Sequence, residues 1–460
     1  MAPARSSNPF RILRRHRSYR IFWTGQTLSL IGSWMQTMAV GWLALELSNS
    51  AFVVGLVASV GALPIVLFSM HAGALVDRGN RLRIVRTTQA VFLAQAVVLW
   101  LITLLGFVNI PLLLLLQFVQ GMASAVEIPA RQSMVIQLVG RDDLQPAIAL
   151  NSSGFNLARV VGPALGGLII GAFGIAWCFG VNAASFGFVL WGLARIGEVG
   201  GARVGGEGVG TAGVGTTGVG TAGVGTTGVG TTRVGTTGVG TTGVGTTGVR
   251  GAGIGEVLRE TSASAMDGLR YLLRRGHVRD LLALVTVGAV FGGPYLTLLP
   301  IMARDVLGMG AGGYGAMLTV VGIGGLIAAL LVAGPISHRA RKGPVLMGAA
   351  LLFPVLLLAF AYTRWVPLAY ALLFLSGLAM ITWNALSNGL LQLMVDERYR
   401  GRLMAFYSLV FVGLSQAVGS FAIGALARLL DAPAAIALCA TVLLGASVIT
   451  LRRASFWRVV

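Results

Sequence analysis

The second long apolar run of this chain ends in Gly73-Ala-Leu-Val-Asp77-Arg78-Gly-Asn-Arg81. The eighth apolar run ends, at matching spacing, in Gly334-Pro-Ile-Ser-His338-Arg339-Ala-Arg-Lys342. A basic loop of the same type at the same place in each half indicates that the halves are diverged copies of one unit. Parallel copies of a membrane unit place a binding site between them, near the middle of the bilayer.

The apolar runs outside these loops predict an integral membrane protein. About twelve runs, each near 20 residues, are long enough to cross a bilayer. They predict an all-α fold of about twelve transmembrane helices in two pseudo-symmetric six-helix bundles, because an isolated strand leaves its backbone unsatisfied in lipid. The runs also lack the alternation of a β-barrel strand. The predicted spans are 21–46, 51–76, 84–106, 110–136, 146–172, 175–196, 279–303, 311–336, 344–362, 366–394, 403–428 and 433–452.

The basic residues predict the orientation of the spans. Most of the 34 Lys and Arg residues lie at the N-terminus, in the even-numbered gaps between spans, or at the C-terminus. The odd-numbered gaps hold only Arg304, Arg364 and Arg428. The positive-inside rule then places both termini in the cytoplasm of a multi-pass inner (plasma) membrane protein. Topology and anionic membrane lipid explain the net charge of +19, so no nucleic acid is expected as a partner.

The sequence also predicts how the chain is divided into domains. A low-complexity linker contains pentapeptide repeats, mostly GVGTT, from Gly208 to Thr247. Such a Gly-rich tract is expected to be a flexible spacer, although a role in binding a partner is an alternative. The predicted units are a basic N-terminus (1–20), a first bundle (21–196), the linker (197–255), an amphipathic helix on the inner membrane surface (256–278), a second bundle (279–452) and a tail (453–460).

Two charged residues lie deep inside predicted spans. Arg159 is about twelve residues into the fifth span, roughly 18 Å from its start, where an arginine costs roughly 2.5–3.5 kcal/mol on insertion scales. One interpretation is a cavity residue that attracts an anionic group or shifts the pKa of a carboxylate. The other is a structural residue that joins helices through hydrogen bonds. Glu127 shares a helix face with Arg131, and either carries protons as a buried carboxyl or is locked by that i+4 neighbour. Glu127, Arg159 and Arg131 are the proton-coupling candidates.

Polar residues repeat every three or four positions in helices one, four and ten, so each set lies on one helix face. These faces line a water-filled path, or they pack small polar residues against neighbouring helices. Four aromatic residues either add walls for a large amphipathic ligand or belong to the core or the membrane interface: Trp34, Tyr295, Trp383 and Tyr407. The predicted cavity residues are Gln26, Ser33, Gln36, Gln117, Gln120, Ser124, Asn151, Tyr295, Trp383, Asn384 and Asn388.

The loop Gly73-x-x-x-Asp77-Arg78-x-x-Arg81 is similar to the signature loop of the major facilitator superfamily, with Asn80 at its second glycine and its final basic residue displaced to Arg83. Further runs resemble the transmembrane secretion effector group, which includes enterobactin exporters. They are Ile31-Gly-Ser-Trp34-Met35-Gln36-Thr, Ile128-Pro-Ala-Arg131-Gln132, Ala149-Leu-Asn151-Ser, Gly162-Pro-Ala-Leu-Gly166-Gly167 and Arg400-Gly-Arg402.

This resemblance implies export of siderophores, drugs or other small molecules, driven by protons, through a cavity lined by helices one, four, seven and ten. It also implies gating residues. One set resembles the antiporter motif of helix five, with Ala158 in place of its leading glycine. The other set, in the signature loop, is either a cytoplasmic latch between the halves or a group of charges that only keeps the loop inside the cell. The predicted gating residues are Gly73, Asp77, Arg78, Arg81, Gly162, Pro163, Gly166 and Gly167.

Other classes of protein have less support. The sequence has no HExxH motif and no evident nucleophilic triad, so an enzyme is not predicted. The single lysine, Lys342, precedes Gly343 and Pro344 and cannot complete a phosphate-binding loop. We therefore predict a monomeric proton-coupled exporter of amphipathic small molecules whose partners are its substrate, protons and membrane lipid, with no metal or other cofactor. An importer or uniporter, or a membrane sensor or scaffold, is the alternative.

Overall fold

A computed structural model describes residues 11–140, 142–196, 276–336, 342–396, 403, 407 and 409–453. These residues are almost entirely helical, and no strand occurs among them. The predicted linker (197–255) and nearly all of the predicted amphipathic helix (256–278) lie outside the described residues. So do the N-terminal ten residues and the tail after Arg453. The boundaries predicted for the domains stay predictions.

Six long helices form the first bundle. A short helix, Arg11–Arg15, precedes them. Asn80 and Asn109 begin two of the long helices, because their side chains accept hydrogen bonds from the Arg83 and Leu112 backbone N–H groups. The helices are α1 (Arg17–Ser48), α2 (Ala51–Arg78), α3 (Arg81–Leu104), α4 (Ile110–Val139), α5 (Leu144–Phe173) and α6 (Ala176–Arg195).

The second bundle has the same number of helices but contains several π-helical turns. The segment α7 (Gly276–Val306) is interrupted by π turns at Gly288–Gly292 and Met302–Val306. The others are α8 (Ala311–Leu331, with a π turn at Val332–Ile336), α9 (Gly343–Tyr362), α10 (Val366–Met394), α11 (π-helical over Leu409–Gly419, then α-helical over Ser420–Leu429) and α12 (Ala432–Arg453).

The predicted membrane architecture is confirmed. Within the described part, 11 helices are long and apolar enough to cross a membrane. The twelfth, α11, is described only from Leu409 onward. One detail of the prediction is wrong: Asp77 and Arg78 belong to the last turns of α2, which runs to the loop glycine Gly79. The connection is therefore only two residues long, with Asn80 capping α3.

The two bundles meet along two seams, α5 against α8 and α2 against α11. In the first seam, a Cβ at Gly315 would lie 2.6 Å from the Pro163 carbonyl oxygen and 3.0 Å from Gly167 Cα. In the second, a Cβ at Gly55 would overlap the Ser420 carbonyl oxygen. Glycine at these positions lets two helix backbones touch, which is how membrane helices associate without a hydrophobic driving force.

A glycine-to-alanine substitution should have opposite effects on stability inside the α5–α8 seam and away from it. Gly315→Ala should lower the free energy of unfolding by about 1–3 kcal/mol, because its new methyl group meets backbone atoms that cannot turn away. Gly348→Ala on α9, where no atom lies within 4 Å of the new methyl group, should raise stability slightly through helix propensity. Thermal unfolding of the purified full chain measures both, and equal shifts would contradict the close seam.

The N-terminal helix is tied to the start of α5 by an ionic contact. His16 Nε2 lies 2.8 Å from Asp143 Oδ2, and Arg15 Nη1 lies 3.1 Å from the same oxygen. The hydrogen bond from His16, assisted by the positive charges of Arg15 and Arg11 and opposed by partial burial, holds the pKa of Asp143 below its usual 3.8. The carboxylate of Asp143 therefore stabilises the folded chain while it is ionised.

This lowered pKa gives a pH-dependent prediction. Stabilisation by Asp143 is present above the unfolded-state pKa and is lost as the pH falls through the lower folded-state value. The melting temperature of Asp143→Asn should thus lie below that of the unsubstituted chain at pH 5, and the gap should narrow towards pH 3. Melting curves of both proteins across that range test it. A gap that stays constant with pH would mean that the carboxylate charge contributes nothing.

Candidate functional site

The candidate site is centred on Arg159, at the midpoint of the 30-residue helix α5. At about 1.5 Å per residue, it lies about 22 Å from either end. Its side chain is half-buried and makes no ion pair or hydrogen bond with any described residue. Tyr295 of α7, in the opposite bundle, lies within electrostatic range of the Arg159 guanidinium. The structure thus brings together two predicted site residues that are far apart in sequence.

Tyr295 belongs to an aromatic cluster in the second bundle. Its ring lies edge-on to Phe353 at 6.0 Å between centroids, and Phe353 lies 6.2 Å from Trp383. Tyr295 is 1% exposed and its hydroxyl has no hydrogen-bond partner. Trp383 Nε1 and Asn384 Oδ1 are also buried without partners. Each unpaired buried polar group costs about 1–3 kcal/mol of stability.

The tight packing of Trp383 explains part of the irregular α7. A Cβ at Gly288 would overlap the Trp383 ring. Only a glycine at position 288 therefore lets the π turn at Gly288–Gly292 pack against the tryptophan. Trp383 and Asn384 are each 2% exposed. In this structure they lie in the interior of the second bundle and do not form the open wall that was predicted. Asn388 is half-buried and accepts a hydrogen bond from Gln392 at 2.9 Å.

Glu127 and Arg131 on α4 form a buried ion pair. Arg131 Nε lies 3.0 Å from Glu127 Oε1, and both residues are under 9% exposed. The N–H does not point at the oxygen, so the contact is ionic and lacks hydrogen-bond geometry. The sequence allowed either a free proton-carrying carboxyl or a carboxylate locked by Arg131, and in this conformation Glu127 is paired with Arg131. A role in proton transfer would therefore begin by breaking this pair, and it stays a prediction.

Gln36 is the hub of an amide network inside the first bundle. Its Nε2 donates to Gln95 Oε1 at 3.0 Å and to Gln120 Oε1 at 3.1 Å, and its Oε1 accepts from Asn182 Nδ2 at 2.8 Å. Ser185 extends the network by donating to Asn182 Oδ1 at 3.1 Å. The structure thus assigns Gln36 to packing among α1, α3, α4 and α6, which differs from its predicted place in a cavity wall.

The sequence analysis missed Gln95, Asn182 and Ser185, because it examined only helices one, four and ten for polar faces. The i+3 spacing of Asn182 and Ser185 and the position of Gln95 inside an apolar run were available signals. The structure adds that a Cβ at Gly32 would overlap Asn182 Oδ1. Polar residues in the other helices were therefore informative about bundle packing.

The remaining cavity candidates occupy mixed environments. Gln26 is 4% exposed, and its Oε1 has no partner. Gln117 faces Gly61 of α2 and also has an unpartnered Oε1. Ser124 turns back to donate to the Gln120 carbonyl at 2.8 Å. Ser33 and Asn151 are half-buried. None of these five contacts Arg159 through a described hydrogen bond or ion pair.

The motif in α5 presents two faces to two partners. Gly162 and Gly166 pack on α1, where a Cβ at Gly162 would lie 2.7 Å from the Ile31 carbonyl oxygen. Pro163 and Gly167 form the seam with α8. In the signature loop, Gly73 has no atom near its missing Cβ and Arg81 is half-buried. The side chains of Asp77 and Arg78 lie outside the described residues.

The bundles are joined at the end that carries Asn49, Leu307 and Asp431, which we call the closed end. Trp42 stacks on Tyr314 at 6.0 Å between ring centroids. Arg304 donates to the Asn49 side chain across the bundles and lies 2.6 Å from Asp305. Phe52 and Phe421 also meet edge-on across the bundles in this half of the protein, at 5.5 Å between ring centroids. The sequence analysis did not single out these residues.

The amide network makes a stability prediction. Gln36→Leu should leave partners on three helices unpaired and lower the free energy of unfolding by about 1–3 kcal/mol for each stranded group. Gln416→Leu in α11 is the matched control, because Gln416 is exposed and the same change should be nearly neutral there. Thermal unfolding of the purified chain separates the two, and an equally mild effect at Gln36 would show that the network is dispensable.

Comparison with known proteins gives the family and the fold. A model of the transmembrane secretion effector family matches residues 7–209 and 250–456. The staphyloferrin A transporter of Staphylococcus aureus is 28% identical over 155 residues, and the multidrug efflux pump Tap of Mycolicibacterium fortuitum is 31% identical over 160. Each alignment covers 34% of this chain and 39% of the relative, so the match spans about two fifths of the length of either relative.

Solved structures agree with this fold over nearly the whole chain. A POT family transporter in complex with 5-aminolevulinic acid aligns with a TM-score of 0.68 at 11% identity, covering 96% of this chain and 97% of that one. At that identity the likeness concerns the fold alone. The resemblance inferred from the signature loop and the helix-five motif is confirmed.

Proposed function

Because this chain belongs to the transmembrane secretion effector family of the major facilitator superfamily, we propose that it is a secondary active transporter that exports amphipathic small molecules in exchange for protons. The observation that carries this proposal is the contrast between the centre and the closed end. Arg159 lies at the middle of its span without a described partner, whereas contacts join the bundles at the closed end.

Alternating access follows from the two glycine seams. Along α5–α8 and α2–α11 the bundles touch through backbone atoms, so one bundle can rock against the other with few side chains in the way. Opening the closed end would separate Trp42 from Tyr314 and Arg304 from Asn49. A central site would then be exposed on one side of the membrane at a time.

The direction of transport rests on sequence features and relatives. The α5 motif resembles that of antiporters, and the two relatives described above are named for efflux of drugs and for transport of staphyloferrin A. Drugs and siderophores are accordingly the proposed classes of cargo. Arginines at the end that carries the termini favour an inner-membrane protein with both termini in the cytoplasm. The closed end would then face outward. Export would require this end to open.

We assign proton coupling to the Glu127–Arg131 pair. A proton arriving at Glu127 would neutralise the carboxylate and free Arg131 from a partner 3.0 Å away. Leaving an arginine unpaired in a buried site is unfavourable, so protonation would favour a conformation in which Arg131 finds another acceptor. That differential preference for two conformations is what coupling requires.

Proton movement in everted vesicles tests this proposal. A pH-sensitive dye should report proton release when a panel of siderophores, dyes and macrolides is added. Glu127→Gln should abolish the release because an amide cannot ionise, while Asp280→Asn should preserve it, since Asp280 pairs with its exposed neighbour Arg279 away from the centre.

The outcomes separate the parts of the proposal. Proton release that persists in Glu127→Gln would show that Glu127 is not the residue that couples transport to protons. Substrate uptake by cells in place of depletion would identify an importer. Compound movement without proton movement would identify a uniporter. In each case correct membrane insertion of the variant is verified by its elution as a single species after purification.

A further inference from the structure

The charges in the middle of the membrane do not balance. Among the described residues, the carboxylate nearest the middle of any span is Glu127, which is held by Arg131. Glu46 accepts a hydrogen bond from Trp42 at 2.6 Å near the closed end. Arg159 is therefore a cation at mid-membrane depth without a carboxylate of its own. An isolated charge in such a place is unfavourable unless an opposite charge or water reaches it.

Arg159 and Tyr295 can both donate hydrogen bonds, and the tyrosine hydroxyl can also accept one. A guanidinium offers five N–H groups and no acceptor, and a phenol offers an O–H group. Tyr295 brings its unpartnered hydroxyl from the opposite bundle to the neighbourhood of Arg159. Donors that converge from two bundles match a group with several acceptor oxygens and a negative charge, which arginine binds better than it binds a neutral group.

Aromatic surfaces border the same part of α5. Phe155 lies one turn before Arg159, so both residues occupy one face of the helix. Trp34 of α1 meets Phe155 edge-on at 5.7 Å between ring centroids. Both aromatic residues are half-buried, which leaves part of each ring open. A molecule that reaches Arg159 therefore also meets aromatic surface.

A purely structural role for Arg159 would need acceptors within the protein. Arginines that staple this fold have them: Arg86 Nη2 donates to the Leu193 carbonyl at 2.6 Å and to the Ile196 carbonyl at 3.0 Å. No described atom plays that part for Arg159. The contrast between the two arginines, in one bundle of one structure, favours a ligand as the missing partner of Arg159.

We propose that Arg159 and Tyr295 form a subsite for the anionic group of the transported molecule, so that this transporter selects amphipathic carboxylates and phenolates over amphipathic cations. This inference rests on the proposed function, since it names the substrate class of the same central site. The anionic group lies between the bundles, bound by Arg159 from the first and Tyr295 from the second. The aromatic part of the molecule packs against Phe155 and Trp34.

Two xanthene dyes of opposite charge test this selectivity by equilibrium binding. Carboxyfluorescein is anionic and rhodamine 123 is cationic on a similar ring system. Fluorescence anisotropy with the purified full chain should show saturable binding of carboxyfluorescein that is at least tenfold tighter than binding of rhodamine 123. Arg159→Gln should weaken carboxyfluorescein binding by about tenfold to a hundredfold, the range for one charge-assisted contact. Arg159→Lys should recover part of it, and Tyr295→Phe should weaken it by about threefold to tenfold.

Matched controls separate the site from general effects of charge and ring chemistry. Arg279→Gln removes an exposed arginine that pairs with Asp280, and Tyr362→Phe removes the hydroxyl of an exposed tyrosine. Neither should change carboxyfluorescein binding. Melting temperatures of all variants establish that they are folded. If Arg159→Gln does not fold, the comparison of Arg159→Lys and Tyr295→Phe with their controls still decides the outcome.

Binding and transport are read separately. Tighter binding of rhodamine 123, equal binding of both dyes, no binding of carboxyfluorescein, or carboxyfluorescein binding that is insensitive to Arg159 would each overturn the anionic subsite. The same dyes are then followed in proteoliposomes with an imposed proton gradient. Arg159-dependent binding of carboxyfluorescein without its transport would support the subsite while contradicting the proposed exporter. Transport of rhodamine 123 alone would support an exporter while overturning the subsite.

Discussion

A bilayer interior offers no water to a polar group, and the arrangement of this protein follows from where each polar group finds a partner instead. Backbone groups are satisfied within helices. The side-chain amide of Gln36 is satisfied by amides of three other helices, and the carboxylate of Glu127 is paired with Arg131. Buried polar atoms without a described partner remain in both bundles, such as Gln26 Oε1 in the first and Tyr295 Oη in the second, and Arg159, at the middle of its span, is a charged group that lacks one among the described residues.

The two bundles solve the same packing problem with different chemistry. The first links four helices through amides, which fixes their mutual positions by directional bonds. The second packs the aromatic rings of Tyr295, Phe353 and Trp383 against glycines in an α7 that departs from α-helical geometry. Pseudo-symmetry of the backbone therefore does not extend to the side chains. In the proposed site, the first bundle supplies Arg159 and the partly open rings of Phe155 and Trp34, and the second supplies the hydroxyl of Tyr295.

The two buried arginines of the first bundle have different partners and different proposed tasks. Arg131 is neutralised by its own helix, whereas Arg159 faces the opposite bundle without a carboxylate. Protons and cargo would then act on neighbouring helices, α4 and α5, of one rigid unit. Coupling between them needs no direct contact, because both affect the same equilibrium between two positions of the bundles.

The sequence by itself determined the membrane spans, the two related halves, the family motifs and the presence of a deep arginine, because these depend on local hydropathy and spacing along one helix. It also offered the Glu127–Arg131 pair as one of two readings, since an i+4 neighbour is known from helix geometry. Only the tertiary structure decided that Gln36 bonds to Gln95 and Asn182, which lie 59 and 146 residues away, and that Tyr295 lies within electrostatic range of Arg159. Helical periodicity tells which face of a helix a residue occupies, but the helix that meets this face is set by the packing of whole bundles.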